Sequence, residues 1–183
     1  MRFLGSSNLR RRNQLQNDND IPDLGPRKKA AKALAQKIIK AAGITVAPIS
    51  LQRVIEHLQE TYTLDVRRIE AGEKVSGLLV VCKEVDGEYA TIGFNGAHPW
   101  CRRRFTIAHE IGHLIFGHAC HKGGTGDDSH NEKEADAFAG ELLVPTAFIK
   151  KDFAKTPNLQ ELSKLYRVSD QTLTIKLMDA RLV

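Results

Sequence analysis

Phe105-Thr106-Ile107-Ala108-His109-Glu110-Ile111-Gly112-His113 is the stretch on which the reading of this 183-residue chain turns. Apolar residues recur around it at helical spacing from about Arg102 to Phe116 or Gly117. His109 and His113 are four apart, just over one turn, so both imidazoles project from one face of a rigid element. That is the geometry for holding one metal ion. Glu110, one step on, can reach past the two rings to a water held beside them.

Two histidines do not complete a metal site. Asn131-Glu132-Lys133-Glu134-Ala135-Asp136 opens the next helix, far enough beyond His113 for a loop and a return. Glu132 and Asp136 are again four apart and share a face. Glu132 is therefore assigned as the third ligand, and Asp136 as the acceptor of the far N–H of a ligand imidazole, fixing its tautomer. Glu134 is the competing ligand, and it faces nearly the opposite way. Two His and one carboxylate with an open fourth position form the catalytic zinc pattern, one ion per chain, although Mn2+ and other divalent ions also suit such donors. Zinc activates a water and polarises a carbonyl. Glu110 would take the water's proton as general base and deliver it to the leaving amine. The predicted reaction is peptide-bond hydrolysis without a covalent intermediate. Candidate donors to the oxyanion are His118, His121, His130 and Tyr166, and His118 also fits a cap at the helix end.

Outward from this core the pattern is α+β. Residues 1–26 are polar, with Pro22 and Pro26, and are expected to form a mobile arm carrying Arg10-Arg11-Arg12. A helix follows from Arg27, with Ala30, Ala33, Leu34, Lys37, Ile38 and Ala41 near one face, and Gly43 stops it. A second runs from about Pro48 to Gln59 with Leu51, Val54, Ile55 and Leu58 as its stripe, and Ser50 offers another start. The period then drops to two. Leu64 to Ile69, Ser76 to Cys82 and Glu88 to Asn95 read as three short antiparallel strands, with Asp86-Gly87 as a hairpin signal. In zincin-like folds an edge strand beside the active helix pairs with extended substrate. The strand carrying Ile92, Phe94 and Asn95 runs directly into that helix and is the expected partner.

Arg104-Phe105-Thr-Ile-Ala-His-Glu-Ile-Gly-His113, followed by Glu132-Lys-Glu-Ala-Asp136-Ala-Phe-Ala-Gly-Glu-Leu-Leu-Val-Pro145, resembles the ImmA/IrrE metallopeptidases. The resemblance is close from about Ile92 to Pro145 and looser on either side. It covers the strand end Ile92-Gly-Phe-Asn95 and the Glu-x-x-x-Asp element at Glu132 and Asp136, while Val144 stands where Met is common. It implies a zincin-like minimal metallopeptidase domain over 27–150, with 151–183 as a short C-terminal helical segment. It also implies a role. Members of the family cleave a helix-turn-helix transcriptional repressor, usually encoded by an adjacent gene, and so derepress a mobile element or stress regulon. With no fused repressor apparent, action in trans is expected.

The rest of the chain limits the alternatives. Hydrophobic residues make up 42% and charged residues 27%, which excludes fibrous and wholly disordered classes. The net charge of +5 permits nucleic-acid contact without requiring it. No apolar run approaches the ~20 residues of a membrane span. The polar opening lacks a signal-peptide core, and three cysteines build no disulfide framework, so a cytoplasmic protein with free thiols is expected. Leu159 to Leu177 reads like a helix-turn-helix, with Val168-Ser169 at the turn and Gln171, Thr172, Thr174 and Lys176 as outward groups. DNA contact through it, or through Arg10–Arg12, competes with simple packing on the core. The rival functions are therefore a DNA-binding regulator with a structural metal and a non-cleaving anti-repressor. An intact Glu110 argues against the first, because a structural site has no use for a base.

Overall fold

The computed structural model describes residues 27–85, 87–118 and 128–183. The expected arm at 1–26 with Arg10–Arg12 lies outside the described residues, as do Asp86 of the hairpin signal, Cys120 and His121. The elements in chain order are α1 (Lys28–Ala41), α2 (Leu51–Gln59), β1 (Thr63–Ile69), β2 (Gly77–Glu84), β3 (Gly87–Asn95), α3 (Trp100–Phe116), α4 (Asp128–Leu143), α5 (Thr146–Lys155), α6 (Leu159–Tyr166) and α7 (Asp170–Asp179). This is the α+β arrangement expected.

The helices begin and end where local chemistry allows. Ser50 Oγ accepts the Arg53 N–H at 3.3 Å and caps α2, which settles its start. The stripe Leu51, Val54 and Leu58 is buried beneath it. On α1 the buried face is Ala31, Ala35, Ile38 and Ile39, rotated from the expected one. Alanines at 30, 31, 33 and 35 blur the phase, and only packing on α4 decides it. α4 is the central helix, with Ala135, Phe138, Ala139, Leu142 and Leu143 fully buried.

The sheet corrects the expectation of three antiparallel strands. Its order is β1-β3-β2, with β2 antiparallel to β3 and β1 parallel to it. The reason lies in the connections. The tight β2–β3 link forces a hairpin, whereas the seven residues 70–76 can step across two strand spacings, so β3 inserts between its predecessors. Asn95 fastens that crossing: its Nδ2 donates to the carbonyls of Ala71 (3.0 Å) and Val75 (2.9 Å), while its Oδ1 accepts the Ala97 N–H (3.0 Å).

The C-terminal helices pack on this frame. Leu173 and Leu177 are buried, as anchors of the second helix should be. Lys176, expected to face outward, instead turns inward to pair with the fully buried Glu141 of α4. Glu141 also accepts from Gln36 Nε2 (2.8 Å), the Thr146 N–H (2.9 Å) and Thr146 Oγ1 (2.7 Å), tying α1, α4, α5 and α7 together. Among the described residues, no helix is long and apolar enough to cross a membrane.

Candidate metal centre

The site is built where α3 and α4 cross. Gly112 has no side chain there, and a Cβ at that position would sit 3.1 Å from Ala135 Cα. The two backbones therefore approach closely enough to carry Glu132, at the start of α4, over the histidine face of α3. His109 Nε2 and His113 Nε2 are 2.9 Å apart. Glu132 reaches both rings, at 3.2 Å from His109 Nε2 and 3.2 Å from His113 Nε2. Among the described residues, these three form the cluster able to hold a metal ion.

The donor set can be tested for fit. With metal–ligand bonds of about 2.0–2.1 Å, adjacent corners of a zinc tetrahedron lie about 3.3–3.4 Å apart. The two nitrogens are 2.9 Å apart and each lies 3.2 Å from a different Glu132 oxygen, Oε2 for His109 and Oε1 for His113, spacings close to that corner-to-corner distance. The opposite nitrogen of His109, Nδ1, lies 2.9 Å from Asp136 Oδ1, which orients the ring with Nε2 inward. His109, His113 and Glu132 thus converge as assigned, with Asp136 behind them.

Electrostatics agree with this arrangement. Burial lowers the His113 pKa to about 4, assisted by the nearby His109 and His118, so its Nε2 offers a lone pair. Burial also pulls His109 down, but the Asp136 hydrogen bond and the charges of Asp136, Glu132 and Glu110 prevail and raise it. Two imidazole nitrogens in contact need one proton between them, and a bound cation must displace it. Burial raises Glu110 to about 6, opposed by His109 and aided by Glu132. A carboxylate with that value suits proton transfer near neutral pH.

Glu134, the rival ligand, is engaged elsewhere. Its Oε1 accepts the backbone N–H of Arg27 at 2.8 Å and Arg27 Nε at 2.9 Å, and its Oε2 accepts Arg27 Nη2 at 2.9 Å. Hydrogen bonding to Arg27 holds its carboxyl down at about 2. His118 is enclosed between His113 Nδ1 (3.0 Å) and Glu134 Oε2 (3.2 Å), so it faces away from any oxyanion. Tyr166 is fully buried, and its hydroxyl donates to Asp152 at 2.7 Å. Of the described oxyanion candidates this leaves His130, in the first turn of α4.

The expected substrate strand needs correction. β3 is the middle strand, paired on both sides, with Ile92 fully buried and Asn95 committed to the 70–76 crossing. It offers no free edge. The edge strand beside α3 is β2. It begins at Gly77, where a Cβ would collide with Thr106 Cγ2, lie 2.8 Å from Gly93 O and lie 3.3 Å from Glu110 Oε1. Sequence reading missed Gly77 and Arg27, because both act across the fold. His118 and Glu134 carried a signal, their closeness to the ligands, but it pointed to other roles.

A family profile for the IrrE N-terminal-like domain, peptidase M78, matches residues 59–178. Among solved structures, the fold is similar to one titled "Mycobacterium tuberculosis transcriptional regulator", at 13% identity and a TM-score of 0.60. The match covers 79% of this chain and 44% of that one, so the chain spans less than half of that structure's length. No curated protein matches.

Proposed function

Because this chain belongs to the IrrE N-terminal-like domain family of peptidases, we propose that it is a metal-dependent endopeptidase that cuts a helix-turn-helix transcriptional repressor in trans. The observation that carries the reading is the convergence of His109, His113 and Glu132 with the half-buried, raised carboxyl of Glu110 beside them. A structural metal needs the first and has no use for the second. Zinc suits the donors, and another divalent ion such as Mn2+ suits them too.

When bound, such an ion supplies Lewis acidity, activating a water and polarising the scissile carbonyl. His109, His113 and Glu132 hold it, and Asp136 keeps the His109 ring in place. Glu110 accepts the proton of the attacking water as its oxygen bonds to the carbonyl carbon. It then returns that proton to the leaving amine as the C–N bond breaks. The free edge of β2 can take an extended peptide as an added strand next to Glu110. Release of DNA by the cut repressor would turn its genes on.

The test uses the metal-loaded chain and helix-turn-helix repressors from the same genome, any encoded by a neighbouring gene first. Discrete fragments, abolished by a chelator and by Glu132→Ala, are expected. A repressor that stays whole under conditions where the chain holds its metal overturns the proposed function.

A further inference from the structure

We propose that a second carboxylate–imidazole arm, Glu134–His118–His113, anchored by Arg27, orients the His113 ring as Asp136 orients that of His109. The inference rests on the metal-site reading above and deepens it. It makes His118 and Glu134 positioning residues.

The geometry runs in one line. His113 turns Nε2 toward His109 and Glu132, and its Nδ1 meets His118 Nδ1 at 3.0 Å. His118 Nε2 lies 3.2 Å from Glu134 Oε2, and both side chains are nearly buried. The Arg27 fork and backbone N–H occupy the rest of that carboxylate. His118 is also stacked on Phe116, with centroids 5.5 Å apart at 18°, and Arg27 lies over the same Phe116 ring.

Proton counting gives the line a direction. Two imidazole nitrogens in hydrogen-bond contact need one proton between them. An ionised carboxylate only accepts, so it holds the His118 proton on Nε2. His118 Nδ1 is then an acceptor, and the proton of the contact must belong to His113 Nδ1. That leaves the His113 Nε2 lone pair free for a cation. The reverse direction would put a proton on His113 Nε2 and leave His118 Nε2 facing a carboxylate with nothing to donate. Glu134, two hydrogen bonds away, thus selects the His113 tautomer that can ligate. The same effect is supplied directly by Asp136 at His109.

The experiment measures zinc dissociation constants against a competing chelator, with melting of the metal-stripped protein in parallel. The chains are the wild type, His118→Phe and His118→Asn. Phe keeps a ring to stack on Phe116 but cannot accept from His113. Asn places an oxygen near the position of Nδ1. His118→Phe is expected to weaken zinc about 10–100-fold, the usual effect of losing such a partner, while the stripped protein melts as before. His118→Asn should recover most of that loss. Zinc affinity in His118→Phe within about twofold of wild type overturns the inference. So does a loss of affinity that Asn does not restore at all. A wild-type chain that takes up no zinc or other divalent ion overturns the metal reading itself, and this arm with it.

Discussion

Gly77→Ala probes the contact between the sheet and α3, the helix that carries Glu110. The added methyl would collide with Thr106 Cγ2 and stand 2.8 Å from Gly93 O and 3.3 Å from Glu110 Oε1. The Thr106 methyl can turn aside. The Gly93 oxygen cannot, because it belongs to the central strand and is held by its register opposite Leu78. β2 must therefore lift from α3 by several tenths of an ångström. Overpacking of this kind costs about 1–3 kcal/mol. At about 2–4 °C per kcal/mol for a chain of this size, the melting temperature should fall by about 2–12 °C. The metal ligands lie on α3 and α4, so metal content should be unchanged. Catalysis should fall more than stability suggests, by on the order of 10–100-fold, since both the base and the substrate edge move. Thr106→Ser in the same chain removes one of the clashes and should restore part of the stability. Melting curves, metal analysis and repressor cleavage on one preparation make the comparison. Wild-type melting and wild-type cutting in Gly77→Ala would refute the close approach of β2 to Glu110.

Lys176→Met should leave Glu141 charged and buried with only Gln36 and Thr146 as partners, which typically costs about 3–5 kcal/mol. A drop in melting temperature of about 6–20 °C is expected, largely reversed by adding Glu141→Gln; no drop would refute the role of the pair. Cleavage at saturating metal should lose rate on the acid side. Glu110 acts as a base only when ionised, its carboxyl stands at about 6 without a cation, and a bound cation shifts it lower, so the acid limb should lie at or below about pH 6. A rate that rises as the pH falls refutes the base assignment.

The convergence of the α3 histidines with Glu132 and Asp136 was legible because a helix fixes the relation of residues four apart whatever surrounds it. His109, His113, Glu132 and Asp136 needed only that rule and one loop. The strands were legible one by one, but their neighbours were not. Partner choice depends on how far residues 70–76 travel, and β3 in the middle removed Ile92, Phe94 and Asn95 from the substrate edge. Lys176 was misread for a related reason. A lysine on an amphipathic helix normally faces water, and the buried Glu141 that draws it inward lies 35 positions away. Arg27 and Gly77 were silent in the sequence, since neither forms a local pattern and each matters only for what packs against it.

Glu110→Gln separates cutting from binding most directly. The amide keeps the shape of the carboxylate and cannot take a proton. Metal content and repressor cleavage are measured on the same sample. A folded chain with about one metal ion is expected, binding its repressor and cutting it 10²–10⁴-fold more slowly or not at all. A variant that holds its metal and still cuts at the wild-type rate would contradict the mechanism.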